Sequence, residues 1–532
     1  MHRLPHLAVL MLVTGIALAQ TTEPAVRPEE PVKDQTPQPR FDVLEYQVEG
    51  NSVLSDIAIE NAVRAFLGYD RGIADVEKAR EALEKAYQNA GYLTVLVDIP
   101  EQDVKGGIVR LVVIEASVQR LRVTGSRYYS LGRIKAQAQS LEPGTVPYFP
   151  DVQKELSGLN RYPDRKVTPV LKPGRTPGTV QVDLKVEDKF PLHGNVELND
   201  RYSGDTSRTR LGTMLRYDNL WQREHSAGLQ VQVSPKDTSQ VKVFSGSYTV
   251  PMGTGLLVAS AIRSNSNTVA GVGGTEVFGR GNIYGLRRVL VLGSTETQSQ
   301  SLTLSASYKQ FKESVSVGGN AGFSTPIRYL PLGISYSGAV TGKDGTWQGG
   351  TGLVVALRGL ASDQAQFADK RFRAQSNFSF LTFDLSRSEN LPWGMSFFGK
   401  LEGQVSDQPL ISNEQFVAGG VDSVRGYLEA TSVGDKGLRG TLELRSQRFT
   451  RESWGWFGGL RVHAFAEGAG LWLNSPLPAQ QSRFGLLSAG LGLRLQAREY
   501  VSLALDVGWP LRDVGNTRKG KARVHASGVL EF

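Results

Sequence analysis

Leu302-Thr303-Leu304-Ser305-Ala306-Ser307-Tyr308-Lys309 alternates apolar with polar residues without a break. A period of two places Leu302, Leu304, Ala306 and Tyr308 on one face of an extended chain. Thr303, Ser305, Ser307 and Lys309 fall on the other. Leu229, Val231 and Val233 likewise alternate with Gln230 and Gln232, and Val501, Leu503, Leu505 and Val507 with Ser502, Ala504 and Asp506. From about Leu192 onward the helical period is absent. Alternating segments of about ten residues follow one another there, separated by Gly, Asn, Asp, Ser and Pro.

A soluble sandwich would show the same alternation, so the pattern alone leaves the solvent of the apolar face open. Three features select lipid. Strand candidates number about sixteen, too many for one sandwich. Residues 189–532 divide into about sixteen pieces of roughly 21 residues, which suits ten-residue strands joined by alternating short turns and long loops. Aromatic residues stand where segments end (Tyr217, Trp221, Trp393, Trp454, Trp456, Trp472 and Trp509), as an interfacial girdle requires. The chain closes on Val524, Ala526, Gly528, Leu530 and Phe532, whose parity puts Phe532 on the apolar face of a strand that runs to the last residue.

Upstream the grammar differs. His2 and Arg3 precede an apolar run, Leu7 to Leu18, and Ala17-Leu18-Ala19 supplies small residues at a cleavage site. Residues 1–19 therefore read as a secretion signal, too short to span a bilayer as a helix. Residues 20–40 carry Pro24, Pro28, Pro31, Pro37 and Pro39 and read as an extended tether. In 41–116 a strand at Leu44–Val48 stops at Gly50, Ser55-Asp56 caps a helix, and Ile73, Val76, Ala79, Leu83 and Ala86 set the stripe of a second helix. Strands at Leu93–Ile99 and Ile108–Ile114 complete a β-α-α-β-β order. Residues 117–188 repeat it, with strands at Leu121–Val123, Lys166–Leu171 and Val180–Val186 around two helical patterns, which predicts a tandem repeat of one module. The expected fold class is thus two small α+β modules followed by an all-β transmembrane barrel of about 16 antiparallel strands.

Composition narrows function. The 532 residues contain no Cys, which removes disulfides, thiolate nucleophiles and Cys-based metal sites. The net charge of +8 comes from 60 Lys+Arg against 52 Asp+Glu spread along the chain, with no block of five basic residues. That argues against a nucleic-acid partner. Six His are scattered without metal-ligand spacing, and there is no G-x-S-x-G or Walker loop. An enzyme reading, a metal and a cofactor are therefore not expected.

One motif is specific. Val424-Arg425-Gly426-Tyr427 follows Phe416-Val417-Ala418-Gly419-Gly420. With a leader, two β-α-α-β-β modules and a barrel of this size, the chain resembles the TpsB-type transporters of two-partner secretion, members of the Omp85 superfamily, whose periplasmic modules are POTRA domains. The second module adds a similar pattern, Leu159-Asn160, Pro163, Arg165-Lys166-Val167 and Pro173-Gly174. The resemblance implies that residues 417–437 form a loop plugging the lumen. It also implies that Arg425 meets an acidic residue in an F-x-D-x-G motif on the barrel wall. The nearest match is Phe465-Ala466-Glu467-Gly468-Ala469, where Glu replaces Asp and Ala469 stands in place of Gly. Parity places Arg461, His463, Phe465 and Glu467 together on the polar face, so an Arg425–Glu467 ion pair is expected.

What the resemblance implies for function is export of a secreted partner, haemolysin- or adhesin-like, through the pore and without ATP. The setting is the outer membrane of a Gram-negative bacterium, with the POTRA domains in the periplasm. Further partners are outer-membrane lipid and lipopolysaccharide, and the barrel assembly machinery, which reads a terminal aromatic such as Phe532. An Omp85-type insertase and a passive porin are the alternatives. The prolines of 20–40 argue that the N-terminal plug helix of family members is short or absent here.

Overall fold

The computed structural model describes residues 40–532 except 205, 273–274, 296, 318–319, 451–456 and 499. The leader, all of the Pro-rich stretch but Arg40, and Trp454 and Trp456 lie outside the described residues.

The first module contains β1 (Arg40–Val43), β2 (Glu45–Glu49), α1 (Asp56–Val63), β3 (Gly68–Gly72), α2 (Ile73–Asn89), β4 (Val95–Asp98) and β5 (Ile108–Glu115). Ser55 caps α1, its hydroxyl accepting from the Ala58 N–H at 3.4 Å. The α2 stripe Val76, Ala79, Leu83 and Tyr87 is buried. Three of these, Val76, Leu83 and Tyr87, share one apolar cluster with Val95, Val97, Val109 and Leu111 of the sheet. Full burial of one such side chain contributes about 1.5–3 kcal/mol. The sheet order is β2-β5-β4, with β2 and β5 parallel. A small β1-β3 sheet was not visible in the sequence, because Gly68-Tyr69-Asp70-Arg71-Gly72 has no apolar alternation and Asp70 takes a positive φ of 53°.

The second module contains β6 (Ser117–Thr124), α3 (Leu131–Ala136), α4 (Phe149–Leu159), β7 (Arg165–Pro173) and β8 (Thr179–Asp188), with sheet order β6-β8-β7. In both three-stranded sheets the first strand lies beside the last. The repeat extends to detail. Gly50 after β2 and Gly125 after β6 have φ of 85° and 89°, and an added Cβ would come within 2.4 Å of the Val113 and Val186 carbonyl oxygens respectively. Only Gly fits at either point. Each following turn is then pinned by a carboxylate at the end of the last strand. Glu115 accepts from the N–H groups of Ser52 (2.7 Å) and Val53 (3.1 Å), and Asp188 from those of Arg127 (3.0 Å) and Tyr128 (2.9 Å).

The barrel opens with β9 (Leu192–Asn199), β10 (Arg210–Leu220), β11 (His225–Val233), β12 (Lys242–Met252), β13 (Gly255–Val272) and β14 (Thr275–Ser294). It continues with β15 (Gln298–Val317), β16 (Asn320–Tyr329), β17 (Pro331–Gly342), β18 (Gly345–Ala356), a short α5 (Gln364–Lys370), β19 (Ser379–Asn390) and β20 (Ser396–Val405). A two-stranded insertion, β21 (Phe416–Ala418) and β22 (Ser432–Gly434), precedes β23 (Lys436–Arg445), β24 (Phe457–Trp472), β25 (Arg483–Ala497), β26 (Val501–Pro510) and β27 (Arg523–Glu531). β16 and β17 pair in succession with β15 and form one interrupted stave, so the closed barrel has sixteen antiparallel staves.

Side chains alternate as the sequence predicts. Leu229, Leu304, Val462, Leu503 and Leu505 are exposed on the outside, whereas His463, Phe465, Glu467 and Asp506 are buried inside. Closure pairs β27 with β9 from Ser527↔Asn199 to Glu531↔Asn195. Phe532 extends the seam through two backbone hydrogen bonds with Gly194, each 2.9 Å. Its ring lies over Gly194, where an added Cβ would come within 2.4 Å of it. No helix among the described residues is long and apolar enough to cross a membrane.

Candidate functional site

The site is the long connection between β20 and β23. It re-enters the barrel as the β21–β22 hairpin, whose tip carries the Val424–Tyr427 motif. Gly419, Gly420 and Gly426 all take positive φ, of 107°, 111° and 95°. That allows the tight turns a folded-in loop needs. The Gly419 N–H donates to Ser423 Oγ at 2.8 Å and the Val421 N–H to Glu429 Oε1 at 3.0 Å, so the tip braces itself.

The structure brings Arg425 and Glu467 together. The Arg425 backbone N–H donates to Glu467 Oε2 at 2.6 Å, while Nε and Nη2 donate to Oε1 at 2.9 and 2.5 Å. The longer side chain of Glu thereby holds main chain and guanidinium at once. Phe465, from the same motif, lies under the cation, with Cζ 3.6 Å from the ring centroid. Ala469, the second departure from the motif, packs in an apolar cluster with Ala418, Val424, Tyr427, Leu471 and Leu486. Its methyl group fills space beneath the loop. Tyr427 is fully buried and its hydroxyl donates to the carbonyls of Arg512 (2.9 Å) and Leu487 (3.1 Å).

Several partners were not singled out from sequence. Glu443 of β23 accepts from Arg425 Nη2 at 2.6 Å, and Asp506 of β26 from Nη1 at 3.3 Å. Arg445 and Arg494 in turn bond these carboxylates at 2.6 and 2.8 Å. His463 Nε2 lies 2.9 Å from Asp506. Three guanidinium groups thus face three carboxylates, and the pocket is close to electroneutral. Such balance is what a group of ions withdrawn from bulk water requires. The usable signal was charge at inward-facing parity on the last strands, which Glu443, Glu467 and Asp506 share.

Two glycines set how close the loop comes. An added Cβ on Gly508 of β26 would come within 2.7 Å of the Gly426 N and 2.8 Å of the Arg425 carbonyl carbon. On Gly426 it would meet Gly508 and Pro510 at 3.2 Å. Loop backbone and wall backbone therefore touch directly. A cavity of about 470 Å³ beside the loop is lined by polar groups that include Arg201, Lys400, Asp422 and Thr441, so the lumen there is polar.

Among the described residues one cluster has metal-ligating side chains in reach of one another, Asp164, His193 and Asp218, with ligand atoms within 4.8 Å. The two carboxylates already have side-chain partners there. His193 Nε2 is 2.8 Å from Asp164, and Arg216 Nε is 3.1 Å from Asp218.

A sixteen-stave barrel with an apolar outer face, a polar lumen, an arginine-anchored inserted loop and POTRA-type modules upstream defines an outer-membrane transporter. The profile described as "Haemolysin secretion/activation protein ShlB/FhaC/HecB" matches residues 178–495, and "POTRA domain, ShlB-type" matches residues 41–116. The chain belongs to that haemolysin secretion/activation family. It is 22% identical over 479 residues to the outer membrane transporter CdiB of Dickeya dadantii strain 3937, covering 89% of this chain and 83% of that one. It is 20% identical over 390 residues to the heme/hemopexin transporter protein HuxB of Haemophilus influenzae strain 86-028NP, covering 71% and 67%. In fold it is similar to CdiB from Escherichia coli, with a TM-score of 0.67 at 19% identity over 95% of this chain and 93% of that one. BamA from Haemophilus ducreyi lacking POTRA domains 1–3 gives a TM-score of 0.56 at 13% identity, covering 92% and 100%.

Proposed function

We propose that the protein exports one unfolded partner exoprotein across the outer membrane through its own barrel, with the loop that carries Arg425 as the plug that must move. The observation that supports this reading is the ion cluster around Arg425, which holds a loop in a polar lumen by contacts that can be exchanged without unfolding the barrel. The reading involves no catalytic group, cofactor or ATP. Folding of the client outside supplies direction. In the periplasm the sheet order β2-β5-β4 leaves β2 and β4 as outer strands, and a client segment can add to such an edge through main-chain hydrogen bonds with little demand on sequence. Residues 1–19 direct the chain to the periplasm. The Phe532 strand addresses it to the assembly machinery, and lipid and lipopolysaccharide surround the finished barrel.

The test is secretion of the exoprotein that disappears from the culture medium when this gene is deleted. Arg425→Glu sets a carboxylate against Glu443, Glu467 and Asp506 and should abolish export while other outer-membrane proteins keep their levels. Unchanged export in Arg425→Glu, Arg425→Ala and Glu467→Ala would remove the plug role. Depletion of many outer-membrane proteins would point to an insertase instead.

A further inference from the structure

The wall of the lumen away from the Arg425 pocket carries a second arrangement, of different chemistry. Val243, Ile262, Ile283 and Phe311, from β12 to β15, are buried on the inner face, while Phe244 and Tyr284 of the same strands face outward. An apolar patch inside a polar lumen is unfavourable unless covered. The connection between β18 and β19 covers it. Phe367 of α5 is 1% exposed and joins those residues in one cluster, together with Leu410 and Ile411 from the segment leading into the plug loop. The Arg328 N–H donates to Gln366 Oε1 at 3.0 Å, which ties α5 to β16.

Two carboxylates join this seal to the plug: Glu414, which accepts from Lys309 Nζ at 2.6 Å and from the Tyr329 hydroxyl, and Asp435, which gathers more donors. Asp435, where the loop returns to the wall, is fully buried. It accepts from both terminal nitrogens of Arg371, with Nη2 at 2.7 Å, and from the N–H groups of Leu410 at 2.9 Å and Asn474 at 2.6 Å. Gln415 Nε2 adds a fifth donor at 3.0 Å. Arg371 also donates to the carbonyls of Leu410 and Asn474. The α5 connection, both arms of the plug loop and the β24–β25 loop therefore converge on Asp435.

We propose that Asp435, paired with Arg371, is a second and separate anchor of the plug loop, and that it makes the α5 connection part of the plug. Arg425 holds the tip and Asp435 holds the base. The two share no partner, so the tip can leave its pocket while the base stays. A client passes only when both let go. Asp435 is a positioning residue and acts through the loop it holds. The inference rests on the loop being the pore's plug, and the test separates the two ideas.

The full-length mature protein is placed in planar bilayers and the time spent in the open level is read, with heat-modifiable gel migration as the check on barrel folding. Asp435→Asn should raise open time by about tenfold or more, because a partly buried cation loses its fully buried counter-charge. Arg371→Met should match it, Arg371→Lys, which keeps the charge but loses the fork, should fall between the native level and Arg371→Met, and the Asp435→Asn/Arg371→Met double variant should be no more open than either single one. Native closure in folded Asp435→Asn and Arg371→Met, with Arg425→Ala open, would overturn the second anchor and leave the plug reading standing. Native closure in all three would take down the plug reading as well. If Asp435→Asn fails to fold, replacing residues 359–373 by a Gly-Ser linker decides the matter, an open pore supporting the proposal and a closed one overturning it.

Discussion

The first module and the barrel are built from the same alternation turned inside out. In the module, Leu83, Leu111 and Val95 are buried and Glu45, Gln47 and Glu49 point away. In the barrel, Leu229, Leu503 and Leu505 point away, and Arg425, Glu467 and Asp506 are buried. Hydrophobic burial drives both, but in one case the apolar phase is the protein's own interior and in the other it is the bilayer. Apolar exposure therefore has no fixed meaning along this chain. Leu96 and Leu505 are 57% and 42% exposed, and only the second faces lipid.

The largest effect expected on this comparison comes from the inverted core of the barrel. Arg425→Ala leaves Glu443, Glu467 and Asp506 around an empty site with only Arg445 and Arg494 to balance them. The loss should be roughly 3–5 kcal/mol of loop docking, seen as raised bilayer conductance together with lost export. Leu505→Arg comes next, at about 2–4 kcal/mol for a cation on the lipid face, measured by denaturant unfolding in detergent or lipid. Gly508→Ala forces apart two backbones in contact and should cost about 1–3 kcal/mol of loop docking. Its readout is raised conductance with an unchanged unfolding midpoint.

A smaller effect returns to the periplasmic modules. Burial alone would raise the Asp188 carboxyl, but the Tyr128 N–H, the Ser126 hydroxyl and the N–H groups of Arg127 and Tyr129 outweigh it and hold the group below the usual carboxylate range. A folded value below the unfolded one, about 3.9, means stability that is present above that pH and is lost as pH falls through the folded value. The penalty of Asp188→Asn should be about 1 kcal/mol near neutrality and shrink below about pH 4, read by hydrogen exchange in residues 117–188. The smallest effect closes the comparison. Leu96→Arg should change stability by no more than about 0.5 kcal/mol, although it is the same substitution as Leu505→Arg. Equal costs at the two positions would contradict the assignment of one to water and the other to lipid.

Much of this was legible in the sequence. Strict alternation reports which residues share a face, and it correctly placed His463, Phe465 and Glu467 together and Leu503 and Leu505 opposite Asp506. The pairing of β1 with β3 was not legible, since a polar five-residue strand carries no periodic signal. Nor was the role of Gly508, because nothing beside it in the chain shows that Gly426, more than eighty residues earlier, rests against it.

By itself the sequence determined the periodicities, hence the repeated α+β modules, the number of barrel staves and the face each side chain takes, because these depend on neighbours two to four residues apart. Which residues meet across the lumen was decided only by closure of the barrel. Arg425 joins Glu443, Glu467 and Asp506, and Arg371 joins Asp435, because stave register and loop path bring together groups that are 18 to 81 residues apart in the chain.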